Sequence, residues 1–201
     1  MNYICHRVNN QEDMISQDCE YGVEIDLRDD TNGNIYMEHE PFISGNDFEE
    51  YIKEYNKGTM ILNIKSERIE LKVIELLKKY NINDYFFLDS SFPMIKLLSD
   101  KGENNIALRF SEYEGIDTII NMSGKVKWIW VDCFTRLPIT KEIEEKFHQM
   151  KYKICMVSPE LQGQDEKLEE YANYIKKNNI KFDAICCKGY NIKRWKKILG
   201  E

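Results

Sequence analysis

The chain has 201 residues, 42% of them hydrophobic, 31% charged and 12% aromatic, and carries a net charge of −7. That length and apolar content support one well-buried core, read as a single domain over residues 1–201, and exclude a disordered or collagen-like chain. The apolar runs are too short for a bilayer span, and the acidic balance argues against a nucleic-acid backbone or an anionic membrane as main partner.

Short apolar runs alternate with segments of helical period along the whole chain. The first run is Tyr3–Cys5 and the second Val23–Leu27. Phe48, Tyr51, Ile52 and Tyr55 then follow i, i+3, i+4, i+7, which predicts an amphipathic helix. After the third run, Met60–Ile64, Ser66 marks a helix start ahead of the stripe Ile69, Val73, Ile74, Leu77 and Tyr80. Tyr85–Leu88, Ile106–Leu108 and Trp128–Val131 are the next runs. Thr140 then precedes a narrower stripe of Ile143, Phe147 and Met150. Ile154–Val157 leads into a helix carrying Leu168, Tyr171, Ala172 and Ile175. Ala184–Cys187 precedes a basic C-terminal helix around Lys193-Arg194-Trp195-Lys196-Lys197.

Runs without strict polar alternation suit strands covered on both faces, as in a parallel sheet. Eight of them with helical crossovers predict a compact (β/α)8 TIM barrel, at the lower size limit of that architecture, near 200 residues. An open doubly wound sheet fits the alternation almost as well. It calls for a Gly-rich first turn, and Cys5-His6-Arg7-Val8-Asn9 offers none.

Barrel chemistry sits at the carboxyl ends of the strands, so the polar residues that end the runs are the candidates. The first run ends in His6 and Arg7. The second contains Glu24 and Asp26, two apart and therefore on one face of a strand; the third contains Asn63 and Lys65 in the same relation. Two carboxylates pointing into a barrel need a cation or a basic partner, because unpaired buried charge is very costly. Glu24, Asp26 and Asn63 supply the oxygen ligands that Mg²⁺ or Ca²⁺ prefers. His6 and His39 suit proton transfer near neutral pH, and Arg7 and Lys65 suit phosphate oxygens. Later strands end at Asp89, Arg109, Asp132, Glu160 and Lys188. These are read either as substrate contacts or as an internal ring of ion pairs.

At these residues the sequence resembles the glycerophosphodiester phosphodiesterase family, which shares its barrel with phosphatidylinositol-specific phospholipase C. The resemblance rests on His6-Arg7, Glu24-x-Asp26, His39 and Asn63-Ile64-Lys65, within residues 3–65. It implies that Glu24 and Asp26 are metal ligands, that His6 and His39 are the acid–base pair, and that Arg7 and Lys65 contact phosphate. Three positions depart from the family pattern. Asn63 stands where the family has a Glu ligand, Val8 replaces the Gly after His-Arg, and Glu40 replaces the Asp after the second His. Val8 is expected to crowd the backbone there. The loop from Val8 to Tyr21 is short and lacks the family's Glu-Asn-Thr helix start.

The resulting expectation is metal-dependent hydrolysis of a small phosphodiester by His/His acid–base catalysis. The alternative is a barrel that keeps the site but only binds a phosphorylated metabolite or sugar phosphate. Expected partners are a small-molecule substrate, no nucleic acid and no stable membrane insertion, in a monomer or homodimer. No basic segment followed by an apolar one opens the chain, and the six cysteines make no C-x-x-C pair, so buried free thiols and a cytoplasmic setting are expected. His148 reads as a surface residue on the polar side of its helix. Trp128 and Trp130 share one strand face, and adjacent Cys186 and Cys187 are not expected to bridge. With only the short stretch Thr31–Ser44 around His39 and the trimmed loop after His6 to cover the site, a bare barrel with a shallow, open mouth is expected.

Overall fold

The computed structural model describes all residues, 1–201. The chain divides into two compact units, Ile4–Ile106 and Met1–Tyr3 with Ala107–Glu201.

The first unit contains α1 (Gln11–Ser16), β2 (Gly22–Asp29), β3 (Ile35–Met37), β4 (Asn46–Asp47), α2 (Phe48–Lys53), β5 (Met60–Ile64), α3 (Glu70–Lys79), β6 (Tyr85–Leu88) and α4 (Phe92–Asp100), preceded by the end of β1 (Asn2–Cys5). Strands β1, β2, β5 and β6 lie parallel in that order, with Cys5 opposite Val23, Asp26 opposite Asn63 and Asn63 opposite Leu88. Val23, Ile25, Met60, Ile61, Leu62, Phe86 and Phe87 have no exposed surface, as expected for strands covered on both faces. Gly22 is required by this packing, because a Cβ there would stand 2.2 Å from the Thr59 carbonyl oxygen.

The short stretch that follows β2 forms a hairpin. β2 runs past its apolar stretch to Asp29. It pairs antiparallel with β3, Leu27 opposite Met37 and Asp29 opposite Ile35, and β3 pairs antiparallel with β4. The turn is closed by Asp30, whose Oδ1 accepts from the backbone of Asn32 and Asn34 at 2.8 Å each. A three-residue strand beside an Asx turn is too short to register as an apolar run.

Helix starts follow side-chain capping where an acceptor is available. Asn10 caps α1 through Asp13 N at 2.8 Å, and Asp47 caps α2 through Glu50 N at 2.9 Å. Asn10 thus provides a helix start in the loop where the Glu-Asn-Thr start is missing. Ser66 does not cap α3, which begins at Glu70; its hydroxyl accepts from Asp29 N at 3.4 Å.

The second unit contains β7 (Ala107–Phe110), α5 (Asp117–Asn121), β8 (Trp128–Val131), α6 (Lys141–Gln149), β9 (Lys153–Val157), α7 (Leu168–Lys177), β10 (Ala184–Cys187) and α8 (Ile192–Leu199). Strands β7 to β10 are parallel neighbours in sequence order. Thr140 caps α6 as expected, accepting from Ile143 N at 3.3 Å. His148 is not a plain surface residue. Its ring is held between Glu144, at 2.6 Å, and Asp183, at 3.2 Å, so it ties α6 to the segment entering β10. The basic helix α8 buries Ile192 and Trp195, and the Trp195 indole donates to Ser158 Oγ at 2.8 Å. All six cysteines are free, and only Cys19 is exposed. No helix is long and apolar enough to cross a membrane.

Candidate active site

Eight of the residues singled out in the sequence lie in the first unit, and the structure gathers them at the carboxyl ends of its strands. Glu24 and Asp26 leave β2 on one face and are fully buried. Arg7 follows β1 in a left-handed conformation, φ +55°, and its amide donates to Glu24 Oε2 at 2.8 Å. This conformation shows where the turn needs freedom: at Arg7, not at Val8, which packs in the core and donates its amide to the Glu24 carbonyl at 2.9 Å. The expected crowding at Val8 is therefore absent.

Asn63 Nδ2 donates to Glu24 Oε1 at 2.8 Å, while Asn63 Oδ1 is buried without a hydrogen-bond partner. His6 Nε2 stands 3.7 Å from Glu24 Oε2. Around Asp26, Asn9 closes a two-way clasp: its Nδ2 donates to Asp26 Oδ2 and its Oδ1 accepts from Asp26 N, both at 2.9 Å. His39 Nδ1 meets Asp26 Oδ1 at 3.1 Å, and Lys65 Nζ lies 3.5 Å from the same oxygen. Lys65 also reaches Asp89 at 3.7 Å. Arg7 Nη2 approaches His39 Nε2 at 2.9 Å. A guanidinium can only donate, so this contact makes Nε2 an acceptor and places the ring proton on Nδ1, facing Asp26.

The two carboxyls are shifted in opposite directions. Burial, and then the neighbouring Asp26 charge, push the Glu24 carboxyl up to about 7, against the donors Asn63 and Arg7 N and the Lys65 charge. Burial also acts on Asp26, but the hydrogen bonds from Asn9 and His39 together with Lys65 outweigh it and hold Asp26 below its ordinary value. Adjacent carboxyls driven apart in this way mark candidate acid–base sites.

In the second unit Arg109 donates to Asp132 Oδ2 at 2.8 Å, and Trp130 Nε1 donates to the same oxygen at 3.3 Å. Trp128 and Trp130 thus share the strand face of Asp132. Gln162 and the Cys133 amide occupy the other Asp132 oxygen, at 2.8 Å each. Glu160 accepts from the Lys188 backbone at 3.0 Å and from the Ser158 hydroxyl. Of the two readings for the later strand ends, Lys65–Asp89 and Arg109–Asp132 are ion pairs, whereas Glu160 holds the Lys188 amide.

Two residues at the site had not been singled out. Asn9 lies two past Arg7. Arg28 continues the one-face series Glu24, Asp26, and donates to the carbonyls of His39 at 2.7 Å, Glu38 at 3.2 Å and Lys65 at 3.3 Å. The same period-of-two reading that paired Glu24 with Asp26 reaches Arg28; nothing local marks Asn9.

No family model matches the chain, and no curated protein matches it in sequence. Solved structures do match. A glycerophosphodiester phosphodiesterase from Agrobacterium tumefaciens superposes with a TM-score of 0.66 at 14% identity, over 92% of this chain and 95% of that one. A protein described as a candidate glycerophosphodiester phosphodiesterase from Galdieria sulphuraria superposes with a TM-score of 0.72 at 15% identity, over 100% and 98%. The chain has the fold of these phosphodiesterases. That fold is the (β/α)8 TIM barrel expected from the alternation of runs and stripes.

Proposed function

We propose that the chain hydrolyses a phosphodiester, of the glycerophosphodiester or a related small polar type. The observation that carries the reading is the ordered line Asp26–His39–Arg7 beside His6 and Glu24. It presents an acceptor nitrogen at His39 Nε2 and a second imidazole, His6, beside Glu24. The fold shared with phosphodiesterases agrees with it.

The donor set suits a hard divalent cation. Glu24 and Asp26 offer carboxylate oxygens, and Asn63 Oδ1 is a buried amide oxygen with no other partner. Mg²⁺ or Ca²⁺ held by these three would supply positive charge to a phosphate oxygen.

The chain's own residues do the rest. Arg7 and Lys65 bind the phosphate oxygens; Arg7 leaves His39 to do so, because an anionic phosphate is the better acceptor. His39 Nε2 takes the proton from the attacking hydroxyl, a neighbouring substrate hydroxyl or water, as the new P–O bond forms. His6 returns a proton to the leaving alcohol oxygen as the old P–O bond breaks. Asp26 keeps the His39 ring oriented and stabilises its charged form, as a carboxylate behind a catalytic imidazole does. Asn9 and Arg28 are positioning residues, for Asp26 and for the His39 backbone.

Asn63 favours a second reading, a barrel that binds a phosphorylated metabolite without cleaving it, because the site has one carboxylate fewer than the family pattern. The two readings separate in one experiment: hydrolysis of glycerophosphodiesters with and without Mg²⁺ or Ca²⁺, for the wild type, His6→Ala and His39→Ala. The phosphodiesterase reading expects cation-dependent turnover that falls at least about a hundredfold in each variant. Turnover retained in both variants refutes it. Calorimetric binding of phosphorylated ligands with no turnover establishes the second reading.

A further inference from the structure

The second unit holds a pocket that this chemistry does not use. Arg136 and Leu137 in the loop after β8, Lys167 just before α7, and Glu170, Tyr171 and Tyr174 on α7 line about 360 Å³. That is within the range of roughly 300–1,000 Å³ usual for ligand pockets. None of these residues belongs to the candidate active site. Hydrogen bonds hold the frame. Glu112 Oε1 accepts from the Thr135 hydroxyl at 2.7 Å and from the amides of Thr135 and Arg136. Gln164 Nε2 donates to the carbonyls of Phe134 at 2.8 Å and Cys133 at 3.1 Å. Lys167 Nζ donates to the Thr135 carbonyl at 2.8 Å and to Gln164 Oε1 at 2.6 Å. Loop and helix are therefore fixed against each other before any ligand arrives, which lowers the ordering cost of binding.

The frame leaves donors unspent. Tyr171 is only 5% exposed, and its hydroxyl is buried with no hydrogen-bond partner. The Leu137 amide approaches that oxygen without closing a bond, so the hydroxyl points from α7 towards the loop wall of the pocket, and an amide N–H offers it no acceptor. Burial pushes the phenol up to about 12, so it stays a donor at neutral pH. A buried donor without an acceptor is costly and rare in native structures. Of Arg136 only the amide is engaged, so its guanidinium is free, and Lys167 keeps one N–H beyond the two it has spent. Such donors call for an acceptor-rich anion, and a guanidinium fork matches a carboxylate or a phosphate. Leu137 and the rings of Tyr171 and Tyr174 form the apolar part of the wall. Glu170 is the acidic group of the lining; it is exposed and works against an anion.

We propose that this pocket binds a small organic oxyanion, a phosphate monoester or a carboxylate carried on a ring-sized apolar body. The oxyanion sits between Arg136, Lys167 and the Tyr171 hydroxyl, and the body lies against Leu137 and Tyr174. Binding here does not depend on phosphodiesterase activity.

The test titrates the full chain in EDTA with phenyl phosphate, benzoate and inorganic phosphate, followed by NMR at the backbone amides of residues 135–137 and 167–171. Reading those amides separates this pocket from any binding at Arg7 and Lys65. Saturable shifts are expected with phenyl phosphate, benzoate or both, and the tighter of the two identifies the head group. Inorganic phosphate is expected to bind at least about threefold more weakly, for want of the apolar body. Arg136→Gln and Tyr171→Phe are each expected to weaken binding about tenfold, and Glu170→Gln to tighten it about threefold. Tyr171→Phe removes an unpartnered hydroxyl, so the melting temperature of the unliganded protein is expected to stay level or rise. Amides that do not respond to either aromatic anion overturn the proposal, as does binding that is unchanged in Arg136→Gln and Tyr171→Phe. Inorganic phosphate that binds as tightly as phenyl phosphate overturns the apolar body. Weaker binding in Glu170→Gln replaces the anion with a zwitterion and overturns the assignment. A lower melting temperature in unliganded Tyr171→Phe overturns it as well, since the hydroxyl then gives its proton to Glu112 Oε2, itself buried without a partner.

Discussion

Replacing Asn63 with Asp puts a third carboxyl where the amide now donates to Glu24 Oε1 at 2.8 Å. In metal-free protein at pH 8 the substitution removes a hydrogen bond to a carboxylate, worth about 1.5–3 kcal/mol. It also sets two like charges side by side, at about 4 kcal/mol for ions ~4 Å apart at an effective dielectric of ~20. The two effects overlap, because the pair relieves its repulsion by holding a proton, so a net loss of about 3–5 kcal/mol is expected. For a chain of this size that lowers Tm by roughly 10 °C. At pH 5 the shared proton restores a donor between the two carboxyls, and the loss shrinks to about 1 kcal/mol. A divalent cation reverses the sign of the new charge's effect. Ligand at 100 times its Kd adds about 2.7 kcal/mol, and a third carboxylate tightens the site. Millimolar Mg²⁺ or Ca²⁺ is therefore expected to raise Tm several degrees more in N63D than in the wild type. Thermal melting at pH 5 and pH 8, with EDTA and with each cation, reads all of these quantities. A variant that melts within about 2 °C of wild type at pH 8 in EDTA refutes the account of Asn63 as a buried donor to a charged partner. A cation response equal in the two proteins refutes Asn63 as part of the donor set.

Other consequences follow from the same geometry. Glu24 binds its proton more tightly in the folded protein, near pH 7, than at its ordinary value of 4.5. The contribution is therefore fully present below about pH 4.5 and lost as pH rises through 7, about 3 kcal/mol in metal-free protein; Glu24→Gln should flatten that part of a urea-denaturation profile. Asp26 is shifted the other way, so its contribution is present at neutral pH and lost as pH falls through its depressed value. Asn9→Ala should cost about 2 kcal/mol at pH 7 and less in strong acid, with a lowered kcat for phosphodiester hydrolysis; an equal loss at both pH values contradicts the clasp. Tyr51 is buried and its hydroxyl donates to the Val8 carbonyl at 3.0 Å. Tyr51→Phe should lower stability by about 1–2 kcal/mol, measured by chemical denaturation, and no change means the carbonyl finds another donor.

Much of this protein is legible along the chain, because its dominant signals are local. All eight apolar runs are strands, since residues covered on both faces must be apolar whatever lies across from them. Spacing of two puts Glu24 with Asp26 and Asn63 with Lys65 on shared faces, because successive side chains of a strand alternate. Thr140 is a helix cap because a cap acts within three residues. What needed the tertiary structure is whatever depends on partners distant in sequence. Asn9 became a site residue only through Asp26, seventeen positions on. Asn63 became a hydrogen-bond donor to Glu24 only when β5 paired in register with β2. His148 turned from a surface residue into a clamp because Asp183 comes to it from thirty-five positions away. The β3–β4 hairpin exists because β2 extends beyond its apolar run and offers β3 an edge. Residue types and periodicity set the faces and elements; the register between strands decided which charges meet, and so in which direction each carboxyl is shifted.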